Sequence, residues 1–256
     1  MTLSATVVAQ DEAERIGACI ESVRGFCHEV LVVDGGSQDA TREVAERLGA
    51  RVVARPFDDF AQQHEFARTQ AAGDWILSID ADERASPELA AAAAGAQNGS
   101  ASAYALPFKN HFRGVWLRHG GLWPDLHVRL FRKSSCRYDP ARPVHEKLLV
   151  DGATGRLDAA ILHETWPSLS QCLAKMERYG ERSAQALFAH GRRASAWEIA
   201  VRPLSRFLRG YVLRGGFLDG AAGAAVAWAR AYEAYVRYAR LWELSRFPAS
   251  TRDALR

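Results

Sequence analysis

Gly73-Asp74-Trp75-Ile76-Leu77-Ser78-Ile79-Asp80-Ala81-Asp82-Glu83 is the stretch on which the architecture turns. A short uncharged run, 75–79, opens after a glycine and closes on a cluster of acids, which reads as a buried strand ending at a polar edge. The same unit recurs toward the N-terminus: Thr6-Val7-Val8-Ala9 runs into Gln10-Asp11-Glu12, and Val30-Leu31-Val32-Val33 runs into Asp34-Gly35-Gly36-Ser37. Residues 51–54 form a further short strand. Helical segments lie between: 12–23, with Ile16, Cys19, Ile20 and Val23 at helical spacing; 41–48, stopped by Gly49; and one through 66–71. This alternation predicts an α/β fold with a parallel sheet of right-handed βαβ units, in which ligands bind beyond the carboxyl ends of the strands.

Those strand ends carry the chemistry. In extended backbone Asp80 and Asp82 project to one side, and two carboxylates that close are unfavourable unless a cation or a hydrogen-bond network lies between them. Oxygen ligands suit Mg²⁺ or Mn²⁺, which also take substrate phosphates. The plainer reading is an acidic turn in which Asp82 or Ser86 caps the next helix. At the second strand end, Gly35 and Gly36 permit a tight turn or close approach to a ligand, Asp34 can accept hydrogen bonds from a base or ribose, and Asp39 can cap a helix. The pattern is not GxGxxG, which speaks against a dinucleotide site.

Read together, Val7-Val8-Ala9-Gln10-Asp11-Glu12-Ala13, Val32-Val33-Asp34-Gly35-Gly36-Ser37-Gln38-Asp39-Ala40-Thr41 and the stretch from Gly73 to Glu83 resemble the motif series of glycosyltransferase family 2, most closely its bacterial lipopolysaccharide-core glucosyltransferase branch. The likeness continues through residues 125–132, 143–147 and 216–220. It implies a GT-A fold (a Rossmann-like, mostly parallel sheet flanked by helices) with a helical, basic C-terminal extension, divided as a catalytic domain at 1–167 and a helical region at 168–256. It also implies a nucleotide-sugar donor, a UDP-sugar such as UDP-glucose, a divalent cation and inversion at the anomeric carbon. By position, Gln10, Asp11, Glu12, Asp34, Gly35, Ser37, Gln63, Asp80 and Ala81 would bind the nucleotide sugar. Asp80 and Asp82 would hold the metal, with His163 as a further ligand or an ordinary hydrogen-bonded histidine. Gln10 stands where the family usually has Asn, and Gln62 and His64 where the branch tends to have Lys and Arg. The base that takes the acceptor proton would be Glu146, with Asp125 as the alternative; Glu146 also has Arg142 and Lys147 at hand as simple ion-pair partners. Trp116, Trp123 and Trp166 are candidates for stacking on sugars or for filling core.

The chain has 256 residues, 48% hydrophobic and 25% charged, which excludes a disordered or collagen-like protein. Four cysteines without a CxxC pair predict reduced thiols and a cytoplasmic setting. Neither a signal peptide nor a membrane span is expected. The net charge of +3 hides an asymmetry: 18 Lys+Arg against 23 Asp+Glu in residues 1–169, and 15 against 7 in 170–256. The basic part contains segment 197–211, with Trp197, Val201, Leu204, Phe207, Leu208 and Tyr211 on one face and Arg202, Arg206 and Arg209 on the other, and Pro203 to kink or start it. Segment 220–244 sets Trp228, Tyr232, Tyr235 and Trp242 opposite Arg230, Glu233, Arg237 and Arg240. Such a tail fits the anionic inner face of a membrane, and hence a lipid-linked glycan acceptor, or packing on the domain or a second subunit. A polyprenyl-phosphate acceptor or a soluble one fits the same enzyme. A nucleic-acid-binding protein would want aromatics among its charges, and here they lie opposite, so no nucleic acid is expected as a partner.

Overall fold

The computed structural model describes residues 1–140 and 147–247. In chain order its elements are β1 (Leu3–Ala9), α1 (Ile16–Val23), β2 (Glu29–Asp34), α2 (Thr41–Arg47), β3 (Arg51–Ala54), α3 (Phe60–Gln70), β4 (Trp75–Ser78), β5 (Glu83–Ala85) and α4 (Leu89–Gln97). There follow β6 (Ala103–Phe112), β7 (Val115–Trp116), β8 (Asp125–Arg132), β9 (Cys136–Tyr138), β10 (Leu148–Val150), β11 (Thr154–Arg156) and β12 (Ile161–Trp166), then α5 (Leu169–Ala189), α6 (Ala196–Leu208) and α7 (Gly220–Arg246). Two compact units emerge: Met1–Lys109 with Asp125–His163, and Asn110–Pro124 with Glu164 onward.

The main sheet runs β3-β2-β1-β4-β8-β6-β12-β5. It is parallel through β3, β2, β1 and β4, as the βαβ reading requires, and antiparallel where β8 pairs with β4 and β6. This is the GT-A arrangement. Alternation along β2 divides the core in two: Val30 and Val32 join Ile16, Cys19, Ile20 and Leu89 on one face, whereas Leu31 and Val33 join Ala67, Ile76 and Phe131 on the other. Strands buried on both faces explain the unbroken Val/Ile/Leu runs of the sequence. Glu29 ties three strands at their opposite end: its carboxylate accepts from Ser4 Oγ (2.6 Å), Arg51 Nε (2.9 Å) and the Ala72 N–H (2.8 Å).

Two helices start elsewhere than the apolar spacing predicts. The helix expected from residue 12 begins at Ile16, because the N–H groups of Glu12 and Ala13 turn away to Thr41 Oγ1 (2.8 Å) and Asp39 Oδ2 (3.0 Å). α3 begins six residues earlier than the segment read from apolar spacing, at Phe60, with Asp59 accepting from the Gln62 N–H as its cap. α2 ends as expected, with Gly49 at φ +84°.

The second unit takes in residues 110–124, which the single cut at 167 leaves in the first domain. The reason is packing: Phe112 and Leu117 belong to a core with Trp166, Cys172, Met176, Val226 and Ala229. α5 and α7 approach so closely that a Cβ at Gly180 would stand 2.9 Å from the Glu233 carbonyl oxygen. That proximity favours small residues on α7, whose buried residues are Gly223, Val226, Ala227, Ala229, Ala231, Ala234 and Leu241, together with Glu233, paired to Arg237. The aromatic stripe is split: Trp228 is 61% exposed, whereas Tyr232 packs against the core that holds Cys172 and Met176 of α5. Pro203 sits inside α6, which has no buried residue, opens on Ser195 with its N–H donating to Glu198 (3.1 Å), and passes into a wide turn at Arg209–Leu213. No helix among the described residues is long and apolar enough to cross a membrane. The four cysteines are free; Cys19, Cys136 and Cys172 are buried and Cys27 half-buried.

Candidate active site

The carboxyl ends of β1, β2 and β4 each contribute one loop, and the first two are laced together. Asp11, at φ +56°, donates its N–H to Ser37 Oγ (3.0 Å) and accepts the Gln38 N–H on Oδ1 (2.8 Å). Asp34 is wholly buried, accepting from the Gly36 N–H (3.1 Å), the Ser37 N–H (3.2 Å) and Arg42 Nε (2.6 Å). Burial works to raise its carboxyl, but the Ser37 and Arg42 hydrogen bonds outweigh that and hold it below the usual range. Gly35 lies against Gln10: a Cβ there would stand 3.3 Å from Gln10 Cβ. Gln10, Asp11, Glu12, Asp34, Gly35 and Ser37 thus come together as one cradle, as their motifs suggest, with Asp34 holding the turn from within.

Gln63 adjoins the second loop through Arg55, whose N–H donates to the Asp34 carbonyl (2.9 Å). It is buried on α3, with Nε2 donating to the Arg55 carbonyl (2.9 Å) and Oε1 accepting from Arg55 Nη1 (2.7 Å), so its amide positions Arg55.

The third loop is the most charged. Asp80 is bound by Arg129, whose Nη2 donates to Asp80 Oδ2 (2.7 Å) and to Glu83 Oε1 (2.8 Å); Glu83 Oε2 accepts the Asp80 N–H (2.9 Å). Burial pushes both carboxyls up. For Asp80 the Arg129 guanidinium, aided by His64, prevails and holds it well below its ordinary value. Glu83, 1% exposed and facing the Asp80 charge, is pushed well above its own. Ala81 is buried, but the extended backbone expected along 80–82 is not found: β4 ends at Ser78 and the chain turns at Ala81–Asp82, with the Glu83 N–H donating to the Asp80 carbonyl (2.9 Å). Asp82 turns to His163 on β12, Nε2 to Oδ2 3.3 Å. Beneath the loop, Cys19 Sγ donates to the Asp80 carbonyl (3.3 Å).

Asp82, Glu83 and His163 each offer a ligand atom within 4.8 Å of the others. Glu12 adds to the local excess of negative charge: burial raises its carboxyl against Arg15, and Asp82, Asp39 and Asp80 raise it further. A mixed carboxylate and imidazole set in a field that resists further ionisation fits a divalent cation. Arg129 and Glu83 are absent from the sequence-derived site. Glu83 was in view as part of the motif; Arg129 arrives from β8, 46 residues later in the chain, within the 125–132 stretch that carries the resemblance but with no role read for it there. Asp125 is partly exposed and paired with His127 Nε2 (2.9 Å). Glu146 lies outside the described residues.

Polar loops at the parallel strand ends of an α/β sheet, with an acidic cluster beside them, are where such a sheet binds ligands. The profile of "Glycosyl transferase family 2" matches residues 4–146, and the chain belongs to that family. It is 31% identical to a glycosyltransferase of Rickettsia bellii, over 95% of this chain and 87% of that one. It is 27% identical to the lipopolysaccharide core biosynthesis glycosyltransferase LpsC of Rhizobium meliloti, over 93% and 94%. Among solved structures, glucosyl-3-phosphoglycerate synthase of Mycobacterium tuberculosis, in complex with Mn²⁺, UDP and its glucosylated product, aligns over 44% of each chain at 25% identity with a TM-score of 0.37.

Proposed function

We propose that this family 2 enzyme transfers a hexose, glucose from UDP-glucose by preference, with inversion, onto a lipid-linked or lipopolysaccharide-core glycan. The observation that carries the reading is the gathering of Asp82, Glu83 and His163 beside the Gln10–Ser37 cradle at the parallel strand ends. The cradle would hold uridine and ribose through Asp11, Glu12 and exposed backbone. Asp82 and His163, with Asp80 or Glu83 completing the set, would hold Mn²⁺ or Mg²⁺. The imidazole favours Mn²⁺. When bound, the cation supplies the positive charge that stabilises a departing diphosphate.

The chain's own part is to orient the acceptor and take its proton. As the acceptor oxygen attacks C1 from the face opposite the diphosphate, the C1–O bond to phosphorus's bridging oxygen breaks, and the hydroxyl proton passes to a carboxylate. Glu146 is assigned that role by motif position. Asp125, oriented by His127, is the alternative. Glu146→Gln should lose at least 10²-fold in turnover while retaining UDP binding, on the order of general-base catalysis; undiminished turnover moves the role to Asp125.

Similarity to a lipopolysaccharide-core enzyme supports a lipid-linked acceptor, and the exposed Trp197 and Leu204 on α6 support peripheral attachment to the cytoplasmic face of the inner membrane. The deciding experiment is thermal stabilisation by UDP, GDP, CMP and ADP, each with and without Mn²⁺, for wild type and Asp82→Ala. A ligand at about a hundred times its Kd adds about 2.7 kcal/mol. A shift with UDP that requires both cation and Asp82 is expected; a shift with another nucleotide changes the donor, and none at all removes the reading.

A further inference from the structure

The second unit holds a cleft with no part in the nucleotide site. Its walls come entirely from residues of that unit, and among them are His119, Arg206, Arg209, Arg214, Asp219 and Arg230. Its volume is about 80 Å³, room for a phosphate-sized group and a few waters. Four arginines and one carboxylate line it, and that carboxylate is engaged: Asp219 accepts the His119 N–H on Oδ2 (2.8 Å) and meets His119 Nδ1 on Oδ1 (2.7 Å). Arg230 Nη1 donates to the Gly120 carbonyl (3.2 Å). Arg206, Arg209 and Arg214 form no ion pair among the described residues.

The cleft is built. Gly120, Gly121 and Gly215 have φ of +69°, +76° and +67°, and Gly120 donates its N–H to the Arg214 carbonyl (2.9 Å). A Cβ at Gly121 would collide with the Arg214 guanidinium, and one at Gly216 would stand 2.9 Å from the Gly210 carbonyl oxygen. The backbone thus closes tightly around a set of cations. The segments that supply them also carry exposed apolar side chains in alternation: Leu208, Val212, Leu213, Phe217 and Leu218, with Leu213 80% exposed. Arginine groups matched to a bidentate anion, on segments that offer apolar side chains to the surroundings, fit a ligand that is charged at its head and apolar behind it.

We infer that this cleft binds the phosphate of a membrane lipid, with the Val212–Leu213 and Phe217–Leu218 side chains entering the acyl boundary around it. The inference rests on the membrane attachment proposed above and is independent of the nucleotide site. The test is flotation of the full chain on phosphatidylcholine vesicles with and without phosphatidic acid, with inorganic phosphate as the soluble probe. Wild type should float with phosphatidic acid. Arg209→Glu/Arg214→Glu should bind about tenfold or more weakly, given the free energy of each basic residue at an anionic surface. Arg182→Glu, an exposed charge on α5 outside the cleft, should leave binding within about twofold, because no pocket contact is lost. Arg209→Gln/Arg214→Gln, with its melting midpoint and UDP response measured, separates a lost site from a lost fold. Equal losses for Arg182→Glu and the cleft variant would replace the site by diffuse attraction. Full binding by a folded cleft variant would overturn the inference and leave membrane attachment standing. No flotation of wild type would overturn both; stabilisation of that same wild type by inorganic phosphate would then assign the cleft to a soluble phosphate.

Discussion

Arg129 stands between two carboxylates of opposite tendency. It holds Asp80 ionised and accepts the company of Glu83, whose burial beside that charge favours its neutral form. Breaking such a pair leaves an uncompensated charge, so Arg129→Gln should cost about 3 kcal/mol, the lower end of the range because Asp80 keeps over a third of its side chain exposed. Urea unfolding reads the loss, and adding Asp80→Asn should return a large part of it. A single-variant loss under about 0.5 kcal/mol, the level of an ordinary surface substitution, would remove Arg129 from this role. These contacts also mark how far residues speak for themselves. Asp80 and Asp82 announced a site as paired acids closing an apolar strand, although a turn at Ala81–Asp82, and not strand alternation, places them, Asp80 toward Arg129 and Asp82 toward His163. Arg129 could not be found that way, since the pairing of β8 with β4 that delivers it is a long-range event. Gln63 adds a contact that its motif position does not announce: its amide holds the neighbouring Arg55.

At the level of elements, the strands were legible and the helix starts were not. Strands buried on both faces write their apolar runs directly into the sequence. Helix starts depend on which N–H groups find partners elsewhere, and the partners of Glu12 and Ala13 lie in the next loop, at Thr41 and Asp39. α7 shows the same limit, because its close approach to α5 at Gly180 favours small residues at that contact and splits the aromatic stripe, with Trp228 outward and Tyr232 against the core. Glu29 gives the sheet a pH dependence. Burial raises its carboxyl, but Ser4 Oγ, the Ala72 N–H and Arg51 together bring it below its ordinary value. A carboxyl depressed in the folded state stabilises above its unfolded pKa, and the contribution disappears as pH falls through the folded one. Glu29→Gln should therefore cost about 1–2 kcal/mol near neutrality. The gap from wild type should narrow as pH drops below about 4.3. Denaturant midpoints at several pH values measure it; a gap that stays constant down to acid unfolding would contradict the assignment.

Over the whole molecule, the asymmetry of charge read from composition, acidic before residue 170 and basic after it, reappears in the two units. The acids gather at a cation-ready cluster in one unit, and arginines gather in a cleft in the other. The single boundary at 167 missed residues 110–124 because Phe112 and Leu117 join a core whose remaining members lie beyond residue 165. The shielded cysteines have a consequence of another kind. Burial pushes Cys27 to about 12, Cys136 and Cys172 to about 11, and Cys19 well above its ordinary value, so none is a ready nucleophile near neutral pH. Alkylation then waits for the surrounding structure to open, and its rate becomes a clock. Cys19 and Cys136 report the first unit and Cys172 the second. Peptide-resolved labelling should show UDP with Mn²⁺ slowing the reaction of Cys19 and leaving Cys172 unchanged; phosphatidic acid vesicles should do the reverse, so one reagent would follow two ligands in a single unaltered chain.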